Sequence, residues 1–177
     1  ETDISVKIEL DGNVKSEIST GIGFFDHMLT ALSAHSGISM SIKVNGDLYV
    51  DGHHTVEDTG IVLGQAFAQA LGDKSGIERY GTAYIPMDES LAMTSLDISN
   101  RPFLVFNCEF TNQSCGNYDL CMTEEFFRAL AVQAGITLHI RVLYGKNTHH
   151  IIEAIFKGFA RALAEAIAMD PRVHGIM

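Results

Sequence analysis

Gly52-His53-His54-Thr55-Val56-Glu57-Asp58 and Thr148-His149-His150-Ile151-Ile152-Glu153-Ala154 are the two stretches around which this sequence is organised. Each contains two adjacent histidines and then a glutamate, with the first histidine and the glutamate at positions i and i+4. On a helix, side chains at that spacing lie on one face, so each pair has the geometry to hold one cation through imidazole and carboxylate. The second histidine points about 100° away around the helix axis and is placed to serve a different cation. Two such motifs in one chain predict a two-metal centre with internal symmetry.

A longer repeat surrounds the two motifs. Residues 37–44 (Gly-Ile-Ser-Met-Ser-Ile-Lys-Val) lie over residues 135–142 (Gly-Ile-Thr-Leu-His-Ile-Arg-Val). On that register His27 falls on Glu125, and the two histidine motifs coincide when the second half has two fewer residues in the preceding turn. The 177 residues are therefore expected to form one unit of two repeats, about 1–80 and 81–177. Each half is predicted as strand, strand, helix, strand, helix, which favours an α+β sandwich whose antiparallel-rich sheets have helices on one face.

Turn residues and hydrophobic alternation predict the elements. Residues 4–10 alternate as a strand, Asp11-Gly12-Asn13 makes a turn, and residues 14–18 return as the second strand of a hairpin. Asn45-Gly46 is a hairpin turn signal, and Tyr49-Val50 is a short strand that leads into the first histidine motif. The other predicted elements, in chain order, are a helix to His35 capped by Gly37, a strand over 38–44, a helix to near Gly72, strands over 84–87, 91–98 and 102–110, a loop over 111–117, a helix over 122–133 ended by Gly135, a strand over 136–143 and a helix to about Met169.

Composition limits the classes of protein. A hydrophobic content of 46% and a charged content of 19% are typical of a globular chain. The formal net charge of −10 argues against general binding to nucleic acid or anionic membranes, but leaves a small anionic substrate open. We expect no membrane span and see no signal peptide after Glu1. Cys108, Cys115 and Cys121 lack CxxC spacing, and we interpret them as reduced thiols of a cytosolic protein rather than zinc ligands.

The repeat supplies enough side chains for two metal ions with four protein ligands each. Nitrogen and oxygen ligands without thiolate suit Mn, Fe or Zn, and the share of carboxylates favours Mn. A purely structural zinc, and histidines that merely start helices, are the alternatives. The candidate metal ligands are His27, His53, His54, Glu57, Glu125, His149, His150 and Glu153.

Several stretches resemble the imidazoleglycerol-phosphate dehydratase family of histidine biosynthesis, and the resemblance covers nearly the whole chain in order. It implies a duplicated α+β fold of the ribosomal protein S5 domain 2-like type, two manganese ions per subunit, and a cytoplasmic homo-oligomer. That oligomer would be a 24-subunit shell with its sites between subunits. The stretches are Gly23–Leu29, Asp51–Asp58, Arg79-Tyr80-Gly81, Asp97–Pro102 and Tyr144–Ala154.

The resemblance also divides the ligands into two sets. One metal would take His27, His54, His149 and Glu153, and the other would take His53, Glu57, Glu125 and His150. Many relatives have histidine where this chain has Glu125. The serine- and lysine-containing C-terminal tail of the family, which contacts phosphate, has no counterpart after Met177.

The reaction implied by the resemblance is a metal-dependent dehydration of imidazole glycerol phosphate to imidazole acetol phosphate. The C–H proton that must leave is not acidic, and a Lewis acid on the imidazole lets the ring accept electrons. The predicted catalytic residues are Glu1, which would reach a neighbouring subunit's site, together with Glu57 and Glu153. The predicted substrate-binding residues are Glu1, His27, His35, His53, His54, His149 and the phosphate contacts Arg79, Arg101 and Lys157.

Asp26 and Asp58 are candidates for orienting the ligand histidines. Two rival classes remain. A zinc peptidase is disfavoured because H-E-x-x-H and H-x-x-E-H are both absent. A non-catalytic metal-binding shell would need no phosphate pocket, and Arg79, Arg101 and Lys157 argue against it.

Overall fold

The computed structural model describes residues 1–12 and 15–176. Local periodicity accounts for its helices, and the four helices that the sequence predicts are all present among these residues. The elements, in chain order, are β1 (Thr2–Glu9), β2 (Glu17–Ser19), α1 (Gly23–Ser36), β3 (Ser39–Gly46), α2 (His53–Leu71), β4 (Tyr80–Met87), β5 (Ser90–Asp97), β6 (Phe103–Asn107), β7 (Ser114–Cys115), β8 (Tyr118–Asp119), α3 (Met122–Ala134), β9 (Thr137–Tyr144) and α4 (Thr148–Ala166).

Two sheets carry the fold, and the α+β class predicted from the sequence is confirmed. The first has the strand order β1-β3-β2 and the second has the order β4-β5-β9-β6. In each sheet an inner strand, β3 or β9, is antiparallel to one neighbour and parallel to the other. The second sheet adds β4 at its edge, and β7 and β8 form a separate two-stranded ribbon.

The helices lie between the sheets. α1 and α2 contact the first sheet, α3 and α4 contact the second, and the pairs α1–α4 and α2–α3 contact each other. α2 and α3 approach closely at two glycines: a Cβ atom at Gly60 would lie 2.7 Å from Phe126 O, and one at Gly64 would lie 2.7 Å from Leu130 O. The helix starts that carry the histidine motifs are thereby held by a closely packed interior.

The predicted N-terminal hairpin is wrong. β2 pairs with β3 in parallel, with Ile18 opposite Ile42, and β1 pairs with the other edge of β3. A parallel pair needs a crossover rather than a tight turn, and α1 supplies it between β2 and β3. The predicted turn at Asp11-Gly12-Asn13 and the predicted start of the return strand at Val14 fall partly on residues 13 and 14, outside the described residues.

The other differences are also at turns. Asn45 and Gly46 are not a hairpin turn but the end of β3, where they pair with Asp3 and Thr2. Gly46 is required there because a Cβ atom would overlap Thr55 of α2. Residues 48–50 form a turn rather than a strand, and the loop predicted over 111–117 contains β7. Within the described part of the chain, no helix is both long enough and apolar enough to cross a membrane.

Candidate metal centre

The starts of α1 and α4 bring three predicted ligands together. His27, His149 and Glu153 each offer one ligand atom, and these atoms all lie within 4.8 Å of one another. Glu153 Oε2 is 3.3 Å from His149 Nε2 and 3.6 Å from His27 Nε2. Two imidazole nitrogens and one carboxylate oxygen are a donor set that divalent Mn, Fe or Zn accepts. These are three of the four residues predicted for one metal.

Local contacts hold this group in place. Asn147 caps α4 by accepting hydrogen bonds from the backbone N–H groups of His149 and His150. Phe24 lies edge-on to the His149 ring, with 5.1 Å between ring centroids. Asp26 does not contact a histidine among the described residues; its carboxylate accepts from the Thr20 N–H and hydroxyl, which ties the start of α1 to β2.

Glu153 divides its two carboxylate oxygens between different partners. Its Oε1 is 2.7 Å from Lys157 Nζ, which leaves Oε2 facing the two histidines. Burial would raise the pKa of Glu153, but the Lys157 hydrogen bond and the nearby charges of Lys157, His27 and His149 outweigh it and lower the pKa. The carboxylate is therefore kept ionised, as a metal ligand must be.

Lys157 also affects His35, which lies two helical turns after His27. His35 is half-buried where α1 faces α4, and its pKa is lowered by burial and then by the charges of Lys157 and Arg161. The imidazole is thus favoured in its neutral form beside the three-ligand group.

The second predicted metal set is only partly assembled. His53 Nε2 is 3.1 Å from Glu57 Oε2, which confirms the i, i+4 contact at the start of α2. The Glu125 carboxylate instead faces Arg128, 3.7 Å away. Across residues 1–12 and 15–176, His27, His149 and Glu153 are the one group of three such side chains within metal-binding reach. The Asp58 carboxylate accepts a hydrogen bond from the Thr2 hydroxyl and contacts no histidine within the described part of the chain.

The second histidine of each motif is held by a carboxylate that the sequence did not point to. His54 Nδ1 lies 2.9 Å from Asp47 Oδ2, and His150 Nδ1 lies 2.8 Å from Glu89 Oε2. Hydrogen bonding to these carboxylates raises the pKa of both imidazoles. Glu1 lies beside His54 of its own chain, with 3.8 Å between Oε2 and Nε2. Metal-ligating histidines commonly donate their second ring N–H to a carboxylate, so the sequence could have predicted that such partners exist. It could not have identified Asp47 and Glu89 as those partners.

The predicted phosphate contacts Arg79 and Arg101 share one cavity. Arg79 makes a bidentate ion pair with Asp97, at 2.7 and 3.1 Å, and Arg101 Nη2 is 3.5 Å from the same carboxylate. The cavity has a volume of about 150 Å³ and is also lined by Lys74 and Asn100. Lys74 is buried and donates to the Asn100 side chain and to Ala134 O.

This cavity is far from the three-ligand group of the same chain. The Arg79 N–H donates to Ala166 O at the C-terminal end of α4, whereas His149 is at its N-terminal end. The 17 residues between them (166 − 149) span about 26 Å along a helix at 1.5 Å per residue. Lys157, in contact with Glu153, does not join the two arginines. One chain therefore does not place Arg79 and Arg101, the predicted phosphate contacts, and the three-ligand group around one small substrate.

Comparison with known proteins shows which family the chain resembles. The sequence profile of imidazoleglycerol-phosphate dehydratase matches residues 20–163. Imidazoleglycerol-phosphate dehydratase of Clostridium acetobutylicum is 59% identical over 177 residues, which cover 100% of this chain and 90% of the relative. The enzyme of Acetivibrio thermocellus is 56% identical over the same 177 residues, covering 91% of that relative.

Solved structures agree with that match. The crystal structure of imidazoleglycerol-phosphate dehydratase from Staphylococcus aureus has a TM-score of 0.89 at 47% identity, covering 94% of this chain and 95% of that one. A Pyrococcus furiosus structure of the same description, in complex with (S)-C348, has a TM-score of 0.86 at 38% identity and covers 100% and 97%. Fold, site and likeness define the class: an α+β lyase with a histidine–glutamate group able to hold a metal ion. The chain belongs to the imidazoleglycerol-phosphate dehydratase family, hydro-lyases of histidine biosynthesis.

Proposed function

We propose that the chain catalyses the manganese-dependent dehydration of imidazole glycerol phosphate to imidazole acetol phosphate, in active sites shared between copies of the chain. The observation that carries the chemistry is the group of His27, His149 and Glu153, whose ligand atoms lie within 4.8 Å of one another. The length of α4 between His149 and Ala166, about 26 Å, supports the sharing, because Ala166 O bonds the Arg79 backbone N–H and one small substrate would not span both ends of the helix.

Two metal ions per subunit fit the donors that are present. One would take His27, His149 and Glu153 together with His54, and the other would take His53, Glu57 and Glu125 together with His150. In each set the second histidine of a motif faces away from its own helix partners, so we assign it to the site of a neighbouring copy. A divalent cation held by either set would act as a Lewis acid on the substrate imidazole and favour its imidazolate form, whose electrons help the hydroxyl group leave from the carbon next to the ring, while the proton leaves from the following carbon.

The residues of the chain then bind the substrate and move protons. Dehydration breaks one C–H and one C–O bond, releases water, and leaves an enol that becomes the ketone. Glu1 is our candidate for the proton transfer because its carboxylate is 68% exposed and close to the outward-facing His54. Glu57 and Glu153 act as metal ligands beside the substrate. His35, neutral beside Lys157, contacts the substrate from α1.

The phosphate is assigned to Arg79, Arg101 and Lys157. Asp97 holds both guanidinium groups at the rim of the cavity, and arginine forks suit a phosphate group. Because Lys157 lies with the metal ligands, it would meet the two arginines only across a contact between copies.

We also propose that the chain is one dehydratase domain of two repeats, about 1–80 and 81–177, that assembles as a 24-subunit homo-oligomeric shell in the cytoplasm. The outward face of the second sheet supports assembly because Tyr80, Tyr84 and Phe103 are more than half exposed on it. The three free cysteines fit a reducing compartment. The charge of −10 and the acidic surface fit a partner that is neither nucleic acid nor membrane.

Mixed assemblies test the shared site. At a substrate concentration well below the raised KM of Arg101→Ala, Arg101→Ala and His149→Ala shells should each show little activity. Dissociation and reassembly of an equal mixture should restore about a quarter of wild-type activity, because each group comes intact from half of the copies. As a matched control, His149→Ala mixed with Glu153→Ala should stay inactive, since both changes damage the same group. Failure of the first mixture to recover, with reassembly verified, would contradict sites shared between copies; absence of any dehydration by the wild-type protein would contradict the reaction.

A further inference from the structure

We propose that Asp47 and Glu89 are positioning residues that fix His54 and His150 in the tautomer and orientation in which Nε2 is presented outward as a metal ligand. The inference rests on the proposed metal-dependent function and deepens it. It concerns residues that neither the repeat nor the family resemblance pointed to.

The hydrogen-bond geometry sets the tautomer. Each carboxylate accepts from Nδ1, at 2.9 Å for His54 and 2.8 Å for His150, so Nδ1 must carry a hydrogen. In a neutral ring Nε2 then keeps its lone pair free. Neither Nε2 has a hydrogen bond among the described residues: its nearest carboxylate oxygens, on Glu1 and Asp88, are 3.8 and 3.7 Å away.

Glu89 is anchored at both of its oxygens. Oε1 accepts from the backbone N–H groups of Asn147, at 2.7 Å, and Lys146, at 3.1 Å, while Oε2 faces His150. One carboxylate in the β4–β5 turn thus fixes both the chain entering α4 and the ring on its first turn. The His150 ring is therefore bonded to a carboxylate whose own position is fixed by the backbone.

Asp47 reaches His54 from a largely buried position. Its side chain is only 10% exposed, and its second oxygen, Oδ1, is buried with no hydrogen-bond partner within residues 1–12 and 15–176. The His54 ring is therefore the hydrogen-bond partner that fixes the orientation of this carboxylate. Holding His54 through Oδ2 is the role that the geometry supplies.

The two carboxylates do not occupy equivalent positions of the repeat. Between residues 44 and 53 the offset changes from 98 (135 − 37) to 96 (149 − 53), so Asp47 falls within residues 143–145, none of which is acidic. A Cβ atom at Gly145 would lie 2.5 Å from Ser90 Oγ, because the β4–β5 turn occupies that space. The same turn provides Glu89. Two halves of the fold therefore hold equivalent histidines with carboxylates from different places in the chain.

Three substitutions test the proposal. Glu89→Gln keeps the size of the side chain but cannot serve both partners. If the glutamine NH₂ group faces His150 Nδ1, that nitrogen must accept and the ring hydrogen moves to Nε2. If the NH₂ group instead faces Lys146 and Asn147, it meets their two backbone N–H donors without an acceptor. Asp47→Leu removes the acceptor for His54. Asp47→Asn can still turn its oxygen toward Nδ1 and should act as the conservative variant. Glu165→Gln is the matched control, because Glu165 accepts from the Thr82 N–H and contacts no histidine among the described residues.

The measurement is Mn²⁺ titration of apo protein, with free Mn²⁺ followed by electron paramagnetic resonance, alongside melting with and without Mn²⁺. We expect Glu89→Gln and Asp47→Leu each to weaken one of two Mn²⁺ sites by about 10- to 100-fold, the usual effect of losing such a partner. Metal-free melting of Glu89→Gln should fall, because the backbone contacts to Lys146 and Asn147 are weakened, and in both variants the additional stabilisation by Mn²⁺ should shrink. Asp47→Asn and Glu165→Gln should bind Mn²⁺ nearly as the wild type does.

Unchanged Mn²⁺ affinity in both Glu89→Gln and Asp47→Leu would overturn the positioning role, whether or not metal-free melting falls. That result, with a wild-type protein that still binds two Mn²⁺ and dehydrates its substrate, would leave the proposed function standing. A wild-type protein that binds no Mn²⁺ would instead remove the proposed function and this inference together.

Discussion

Glu153 illustrates, at the scale of single residues, how a buried carboxylate stays charged. Lys157 holds one oxygen at 2.7 Å and the other faces His27 and His149, and the resulting interactions lower its pKa despite burial. Removing one member of such a contact leaves a buried charge without its partner, which costs more than a surface pair is worth.

Lys157→Met should therefore destabilise the metal-free protein by roughly 1–3 kcal/mol, because the Glu153 carboxylate loses its hydrogen-bonded cation. Mn²⁺ should restore part of the loss by supplying another positive charge. Urea unfolding at fixed protein concentration measures both effects. Arg128→Met, which removes the partner of the half-exposed Glu124, should cost less than about 1 kcal/mol. Equal losses in the two variants would contradict the special environment of Glu153.

Arg101→Ala should raise KM for the phosphorylated substrate and leave the bound metal unchanged. Arg101 is 74% exposed in the single chain and lies in the cavity far from the predicted metal ligands, so its loss removes one phosphate contact and no metal ligand. Steady-state kinetics with metal analysis is the measurement, and Lys7→Ala on the outer face of the first sheet is the control. Unchanged KM would remove Arg101 from the phosphate site.

Asp170 makes a prediction for acid stability. Its hydrogen bonds from the Arg172 side chain and backbone lower the pKa of the buried carboxyl from 3.8 to about 2. A lowered folded-state pKa stabilises the protein above pH 3.8, and that contribution is lost as the pH falls toward 2. Asp170→Asn should be less stable than wild type at pH 5, with the gap closing as the pH approaches 2. A gap that stays constant over this window in urea unfolding would contradict the linkage.

At the scale of elements, the positions of the helix starts that carry the predicted metal ligands depend on how closely the helices approach. Gly60 and Gly64 let α2 lie directly on α3, with the backbone of α3 where their side chains would be. α2 carries His53 and Glu57, and α3 carries Glu125, so the same contact sets the distance between the members of the second metal set. The packing of elements thus determines which predicted ligands can meet.

Gly60→Ala should destabilise the fold by about 1–3 kcal/mol, because the added methyl group meets Phe126 O and forces α2 and α3 apart. The Mn²⁺ site that uses His53 and Glu57 should weaken as well. Thermal melting and Mn²⁺ titration give the two readings. Gly23→Ala is the control, since nothing lies within 4 Å of a Cβ atom there and its φ is not in the left-handed region. Wild-type stability of Gly60→Ala would show that the helices can separate freely.

At the scale of the whole molecule, the chain presents parts of sites at its ends. The Arg79 cavity is at one end of α4 and the three-ligand group is at the other, while His54 and His150 face outward. If sites are completed by neighbouring copies, metal becomes part of the contact between them, and any ligand that binds only the assembly stabilises it.

Chelation or mild acid should therefore dissociate a large particle into small oligomers, and Mn²⁺ at neutral pH should restore the particle together with activity. The hydrogen bonds to Asp47 and Glu89 raise the pKa of His54 and His150 above 6.5, so protons should compete with metal as the pH falls through that range. Light scattering on native, chelated and reloaded protein measures the mass. A particle of unchanged mass after verified metal removal would show that contacts between side chains suffice.

Local pattern alone determined the four helices, the caps at Gly37 and Gly135, the i, i+4 contacts of both histidine motifs, and the motifs of the family. These follow from periodicity within a few residues. Only the tertiary structure decided that β2 pairs with β3 rather than β1, that Asp47 and Glu89 hold the outward histidines, and that Glu125 faces Arg128. Strand partners and side-chain partners distant in sequence are chosen by burial and packing of the whole chain, which no local spacing encodes. The tertiary structure also decided how far Arg79 lies from His149, because the length and direction of α4 across the second sheet set that distance.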